Sequence, residues 1–480
     1  MALARWSAAA FVAAYVLISF SATPNPMMAL WRPLLVGVAV AVALQLLLGL
    51  VLRDGDRAEI AASAVVLVLG AAWVPLAVLV VAVIWLLAIQ LMRRRRGEPA
   101  LGLNARTVAR NLGVFAWAFA TVAAIPVVGW AIASYHPADG AIEGATGTGR
   151  PDIVLLLVDG YPRADSLVEQ FGVDNSAFVT ALTTRGFLVA AHSRSNYTAT
   201  WASLSSMFYG RYVDEIHELA PPPADPAEQY RRVMLALGRA PVLDGFRRDG
   251  YEIVTIPSAF ESAALTSADR ILTPPEWTSF ELSLIQRSLA GQLAFRLAPG
   301  VVFDQHRARL ESTLQLLGDE MARTSATPRF VFAHLLAPHA PVAFRADGSP
   351  AEPPACFPGC SPYGITSAAD WEGFPGQVTH VNELVVAVLD RIIGDDPGAL
   401  IILMSDHGSP RTGEAPANAF RNFFAARAPA NEVQYEDDVT PMTVLARLTD
   451  LPFTSGDPYR AWISAGLEPL TLTPYTGPEP

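Results

Sequence analysis

Five apolar stretches crowd the first 135 residues of this 480-residue chain, near 6–22, 31–52, 60–74, 75–92 and 112–134. A backbone surrounded by hydrocarbon must satisfy its own N–H and C=O groups, so such stretches are expected to be helices. Crossing a bilayer takes about 20 apolar residues. The second, fourth and fifth stretches meet that length comfortably, the first adequately, and the third is short. One helix over 60–92 would be too long for a single crossing, so Trp73 and Pro75 are read as the turn of a tight hairpin. Arg5, Arg53, Arg57 and the run Arg93 to Arg96 then fall on the cytoplasmic side under the positive-inside rule. Five crossings from an inside start deliver residue 135 outside. A cleaved signal peptide is the alternative for the first stretch, but a clear small-residue cleavage site before Pro24 is missing. No Asp, Glu or His interrupts the apolar cores, which argues against a proton relay or ion path. The segment is expected to anchor the protein in the plasma membrane as a multi-pass bundle, either as a passive anchor or also helping to present a lipid.

The remainder has ordinary globular polarity and the opposite charge. Up to residue 135 there are ten Arg against four acidic residues, a balance of +6, whereas the rest holds 24 Arg against 41 Asp plus Glu, a balance of −17. So acidic a region is a poor partner for nucleic acid or an anionic lipid surface by bulk charge. Lysine is absent throughout, which excludes any lysine-based mechanism. The only cysteines, Cys356 and Cys360, stand in "CFPGC", where a small disulfide-closed loop suits an extracytoplasmic location.

A Gly/Ala/Thr-rich linker is expected over 136–150. Beyond it, strand signals at 152–159, 187–191, 251–256, 329–335, 399–405 and 421–427 alternate with helix signals at 175–185, 200–208, 226–248, 304–323, 376–394 and 439–449. This alternation predicts an α/β domain over 151–468 with a mainly parallel central sheet flanked by helices, and a loose tail over 469–480.

Two of the aliphatic runs end in chemistry. Asp152 to Asp159 ends in Val-Asp-Gly, and Leu400 to Asp406 ends in Ser-Asp-His-Gly. Both place polar groups at the C-terminal edge of a buried strand, where open α/β sheets build their sites. Asp159, Asp406 and His407 would offer two carboxylates and an imidazole, a mixture suited to zinc or manganese, with magnesium or calcium less well matched.

The segment "SNYTATWASLSSMFYGRY" (195–212) reads as a loop entering a helix, with Thr200 near the helix start. A hydroxyl there feels the positive end of the helix dipole, which favours an alkoxide or a bound anion. The same position equally suits an N-cap that only satisfies a backbone N–H. Further on, "FVFAHLLAPHAPVAF" (330–344) carries His334 near a strand end and His339 between prolines. His334 could be a buried core histidine; His339 is expected to face a cleft, where it could donate to phosphate oxygens or protonate a leaving group.

Taken in order, the Asp159-Gly strand end, "SNYxxTxxSLxSxxxG", "HxxxPHxP" and "SDHG" resemble the alkaline phosphatase superfamily, in its sulfatase-like branch. That branch includes membrane-anchored lipoteichoic acid synthases and phosphoglycerol or phosphoethanolamine transferases, and several membrane helices ahead of an extracytoplasmic catalytic domain is the synthases' architecture. The resemblance implies that Asp159, Thr200, Asp406 and His407 ligate one divalent cation, with Thr200 also the nucleophile. It makes His339 the substrate-facing histidine, with His334 and Asn196 as further substrate contacts; a second metal is left open. Two departures stand out. Thr200-Trp-Ala-Ser-Leu lacks the Cys or Ser, Pro and Arg of true sulfatases, which disfavours sulfate ester hydrolysis, and Gly160 replaces the usual second Asp.

The expected reaction is therefore attack of Thr200 on the phosphorus of a phosphodiester, in a lipid head group or an envelope glycan, and resolution of the covalent intermediate by an alcohol or by water. A phosphodiesterase, phosphatase or sulfuric ester hydrolase with water as final acceptor, and a catalytically idle envelope protein, are the alternatives.

Overall fold

The computed structural model describes residues 6–23, 25–70, 93, 95, 104–134, 149–220, 225–258, 260, 263–353, 368–409, 416–428, 435–449, 451–453, 458–464 and 471–480. The expected fourth apolar helix (75–92), nearly all of the linker and the Cys356–Cys360 loop lie outside these residues. The chain forms two compact units. One comprises residues 1–135 together with Thr278–Pro299, and the other comprises His136–Trp277 and Gly300–Pro480. The catalytic region expected over 151–468 is thus interrupted in space by a 22-residue excursion, for which no apolar run long enough to be noticed gave a signal.

In the first unit, helices α1 (Ser7–Ala22), α2 (Met28–Leu52), α3 (Gly55–Gly70) and α4 (Ala105–Ser134) pack together. Among the described residues, α2 and the Ala105–Ile132 part of α4 are long and apolar enough to cross a membrane. At 25 residues, α2 is about 38 Å long. Its outward face carries Leu35, Val40, Leu47, Leu50 and Val51, all more than half exposed. Small residues let the helices approach closely: Ala8, Ala9, Ala41 and Ala62 share one cluster, and a Cβ on Gly37 would lie 2.8 Å from Val12. Arg53 ends α2 in the left-handed conformation, and Asp54 Oδ1 accepts the N–H groups of Asp56 and Arg57 to start α3. Because α3 begins at Gly55, Glu59 falls inside it. The Glu59 side chain is buried and accepts the Ser7 hydroxyl at 2.9 Å, so one acidic group does sit within the bundle.

The second unit is built on a seven-stranded sheet of order β2-β7-β6-β1-β5-β3-β4. Its strands are β1 (Ile153–Val158), β2 (Leu188–Val189), β3 (Glu252–Ile256), β4 (Arg270–Ile271), β5 (Arg329–Leu335), β6 (Leu400–Met404) and β7 (Phe424–Arg427). β1 runs parallel to β5 and β6, and β3 parallel to β4 and β5; only the β6–β7 and β7–β2 pairs are antiparallel. The aliphatic run of β1 is continuous because both sheet faces are covered. Ile153, Leu155 and Leu157 enter the core on the side of helix α5 (Thr200–Tyr209). Val154, Leu156 and Val158 enter the other, against the 23-residue helix that starts at Gly300 and the long helix from Ala368 to Asp395.

The expected helix over 226–248 is broken at Arg239–Ala240 into Pro226–Gly238 and Pro241–Arg248, since Pro241 cannot continue a helix and opens a new one. The expected tail contributes a strand: β9 (Leu472–Pro474) pairs with β8 (Trp462–Ser464).

The far edge of the sheet is held by ions. Glu320, almost fully buried, receives two bonds of 2.8 Å from Arg270, 2.9 Å from Arg323 and 3.2 Å from Arg329. Burial raises the Glu320 pKa, but Arg270 and Arg323 more than offset this and lower it from 4.5 to about 2. A lowered folded-state value means that this stabilisation is complete above pH 4.5 and is lost as pH falls through about 2. Glu320→Gln is therefore expected to lower stability by about 3 kcal/mol at neutral pH, measured by denaturant unfolding. The gap from wild type should narrow as the pH is brought down from 4.5; a gap that stays constant over that range contradicts this account.

Candidate active site

Three adjacent strands end at the same place. β1 pairs Leu157 with His334 of β5 and with Met404 of β6, so Asp159, the end of β5 and Ser405-Asp406-His407 emerge together at the C-terminal edge. One ligand atom from each of Asp159, Asp406 and His407 lies within 4.8 Å of the others, the one such group among the described residues.

Each carboxylate is half anchored. Asp159 Oδ2 receives His334 Nε2 at 2.9 Å, and Asp406 Oδ1 receives the Gly160 N–H at 3.1 Å. Asp159 Oδ1 and Asp406 Oδ2 are buried and accept no hydrogen bond. His407 Nε2 lies 3.2 Å from Asp406 Oδ2, but not in hydrogen-bonding geometry. Its other nitrogen, Nδ1, is 2.8 Å from the Gly408 carbonyl. A carbonyl can only accept, so Nδ1 carries the proton in the neutral ring and Nε2 turns its lone pair to the carboxylates. Burial pushes the His407 pKa down, and the charges of Asp406 and Asp159 more than reverse it. Burial likewise raises Asp159, and His339, His334 and His407 hold it well below the usual carboxylate range. Two buried carboxylates with one free oxygen each, beside a free imidazole lone pair, are a donor set that fits a divalent cation.

Thr200 is the first residue of α5. The N-cap is Ala199, which has no side chain to cap with, and the Thr200 hydroxyl does not cap either. It lies 3.4 Å from both Asp159 Oδ2 and His407 Nε2. Of the two roles left open by position, the geometry disposes of the N-cap. The loop that delivers Thr200 is clamped at its base. Tyr197 stacks on Trp462 at 5.2 Å and takes the Val213 N–H on its hydroxyl at 2.7 Å, while Ser195 N–H bonds to Phe420.

His339 N–H bonds to the Asp159 carbonyl at 3.1 Å, which ties its loop to the site, and its Nδ1 contacts the Ala340 carbonyl at 2.8 Å, leaving Nε2 to face outward chemistry. Gln377 fixes this loop, donating to Pro338 O at 2.9 Å and His339 O at 3.2 Å while accepting the Ala343 N–H at 2.6 Å. Gly160 sits between the two histidines at φ 65°. A Cβ there would lie 2.9 Å from Ser409 Oγ and 3.7 Å from both the His339 and His407 rings, so the residue after Asp159 has no room to be a second aspartate.

Two expected substrate contacts are placed differently. His334 is 1% exposed with both nitrogens engaged, Nε2 on Asp159 and Nδ1 on Ser258 Oγ at 3.0 Å, so it holds a carboxylate and has nothing left for a substrate. Asn196 donates a side-chain N–H to the Arg460 carbonyl at 2.8 Å, and its backbone carbonyl accepts the Trp462 N–H, fastening the Thr200 loop to β8. Gln377, Ser258 and Ser409, whose hydroxyl bonds the Gly160 carbonyl at 2.6 Å, were not anticipated. Ser409 directly follows the Ser-Asp-His-Gly motif and was readable there; Gln377 and Ser258 stand in unremarkable sequence and carry no local signal.

A doubly covered, mainly parallel sheet with a charged cluster and a helix-borne hydroxyl at its C-terminal edge defines an α/β domain of enzyme type. The sulfatase family model matches residues 151–428, and the chain belongs to that family. No curated relative matches it. Similar solved structures include the C-terminal periplasmic domain of EcEptC from Escherichia coli in complex with Zn, at 12% identity and a TM-score of 0.41, covering 68% of this chain and 94% of that one. The lipoteichoic acid synthase LtaP from Listeria monocytogenes is similar at 10% identity and a TM-score of 0.39, covering 69% and 79%. The integral membrane lipooligosaccharide phosphoethanolamine transferase A (EptA) from Neisseria meningitidis is similar at 12% identity and a TM-score of 0.41, covering 81% and 68%.

Proposed function

We propose that this chain is a membrane-anchored, metal-dependent transferase that moves a phosphoryl-linked head group from a phosphodiester lipid or envelope glycan through a covalent threonine intermediate. The observation that carries the reading is the Thr200 hydroxyl, which heads α5 and lies 3.4 Å from both Asp159 and His407. Asp159, Asp406 and His407, with Thr200 as fourth donor, would hold one divalent cation. When bound, that cation supplies positive charge that lowers the pKa of the hydroxyl and steadies the anionic phosphorus centre.

Thr200 Oγ1 forms a bond to phosphorus as its proton is released to solvent, the hydroxyl facing Asp159 and His407 at 3.4 Å. The bond from phosphorus to the leaving oxygen breaks, and that oxygen takes up the Nε2 proton of the imidazolium form of His339, whose Nδ1–H stays on the Ala340 carbonyl, to depart as an alcohol such as diacylglycerol. The N-terminus of α5 and His339 favour the anionic oxygens. A second alcohol, or water, then attacks the phosphothreonine diester and restores the free hydroxyl. Sulfate ester hydrolysis is disfavoured despite the family's name. Oxidising Cys or Ser at this position gives an aldehyde, whereas Thr200 carries a methyl on Cβ and would give a ketone that hydrates poorly.

Two helices of bilayer length with apolar outward faces support a plasma-membrane location and a lipid-borne substrate. The test is turnover by the full chain in nanodiscs with manganese or zinc, scoring diacylglycerol released from phosphatidylglycerol and phosphatidylethanolamine against cleavage of p-nitrophenyl sulfate. Release of diacylglycerol supports the proposal; sulfate ester cleavage with no attack on phosphodiesters sinks it. His334 serves as a positioning residue, so His334→Gln is expected to weaken metal affinity by about 10–100-fold, read by equilibrium dialysis; unchanged affinity would remove that role.

A further inference from the structure

Residues 278–299 leave the α/β unit and fold as two short helices, α6 (Ser279–Arg287) and α7 (Leu289–Leu297), within the same compact unit as α1 to α4. The start of α6 is locked by a capping box between Thr278 and Glu281. Its inner face is part of the bundle core: Phe280 meets Phe20 edge-on at 5.5 Å, and Leu284 joins the cluster of Val16, Leu30 and Val127. Polar fastenings accompany the packing, with Tyr15 donating to the Leu284 carbonyl at 3.1 Å and Arg32 paired with Glu281 at 2.5 Å. Ser288 then caps α7, and Gly291 passes so close to Ile285 that a Cβ there would lie 1.9 Å from its carbonyl oxygen. The turn between the two helices is thus specified, and α7 is presented in one orientation.

α7 buries Gly291 and Phe295 and packs on α3. The opposite face shows Leu289, Leu293 and Leu297, four residues apart, at 44%, 57% and 79% exposure. Ala290 and Ala294 widen that face, and Gln292 and Arg296 form a narrow polar strip beside it. In water, such a face is unfavourable. It is continuous in kind with the outward faces of α2 and α4, and the helix is fastened into the same bundle that carries them. A short helix with a broad leucine face, a thin polar edge and arginines at 287 and 296 has the make-up of one lying in the boundary between head groups and acyl chains.

We infer that α7 is an interfacial helix whose leucine face is immersed in the lipid bilayer. The chain of the α/β domain then returns to the membrane once, at this hairpin, between Trp277 and Gly300. This rests on the membrane reading of the bundle under the proposed function.

The test uses the full chain in phosphatidylglycerol/phosphatidylethanolamine nanodiscs, with Cys356 and Cys360 replaced by serine and a nitroxide at one new cysteine. Leu293→Cys reports on α7, Leu47→Cys on the exposed face of α2, and Ser325→Cys on an exposed loop. Power saturation against oxygen and a water-soluble nickel chelate reads immersion. Leu293→Cys is expected to match Leu47→Cys, favouring oxygen, while Ser325→Cys favours nickel. Lipid access at position 47 with nickel access at 293 overturns the interfacial helix but leaves the bundle in the membrane. Protection of position 293 from both agents means a protein surface covers it, and also overturns the inference. Nickel access at both positions overturns the membrane reading and the inference together.

Discussion

Thr200→Ala is expected to lower turnover of a phosphodiester lipid by on the order of 10⁴-fold or more, because it removes the atom proposed to bond to phosphorus. The substitution should leave the fold and the metal largely undisturbed. Thr200 Oγ1 makes only two long contacts of 3.4 Å, and Asp159, Asp406 and His407 remain as donors. Retained metal with lost turnover is the signature that separates a nucleophile from a purely structural residue. Thr200→Ser keeps the hydroxyl and should recover a measurable part of the rate. If alanine and serine variants were equally inactive, the methyl group's packing rather than the oxygen's chemistry would be at issue.

Asp406→Ala attacks the other half of the account. Asp406 Oδ2 is a buried carboxylate oxygen without a hydrogen-bond partner, which native interiors rarely tolerate unless a cation is due there. Wild type is expected to bind one equivalent of zinc or manganese and to be stabilised by it, by about 4 kcal/mol when the metal stands at 1,000 times its Kd. The alanine variant should lose both the bound equivalent and the thermal shift, an effect well beyond the 10–100-fold expected of a supporting residue. Dialysis against metal followed by elemental analysis reads the stoichiometry; a variant that still binds one equivalent would place the cation elsewhere.

Much of this arrangement was legible in the chain because the strands that matter are buried on both faces. An uninterrupted aliphatic run such as Ile153–Val158 has few interpretations, and the polar residues that end it must lie at the sheet edge. The same logic located Asp406 and His407 after Leu400–Met404. What escaped depends on distant pairings. Position alone suited His334 to a buried core histidine, and the family resemblance made it a substrate contact; the adjacency of β5 and β1 turns it inward onto Asp159. Gln377 lies on a helix some forty residues from the loop it steadies, and only the fold brings them together. The α6–α7 hairpin was missed for a different reason. Its helices have nine residues each, too short for periodicity to stand out, and the partner of their inner face is a bundle more than 140 residues earlier in the chain.

The central claim is that the hydroxyl of Thr200 becomes covalently loaded with the transferred group. The direct measurement is the intact mass of the full chain, acid-quenched after incubation in nanodiscs with manganese and phosphatidylglycerol, alongside Thr200→Ala. The account predicts a discrete added mass equal to a phosphoglycerol group on the wild type, mapped to the peptide containing Thr200, and none on the variant. Turnover of the lipid by Thr200→Ala at the wild-type rate would contradict it.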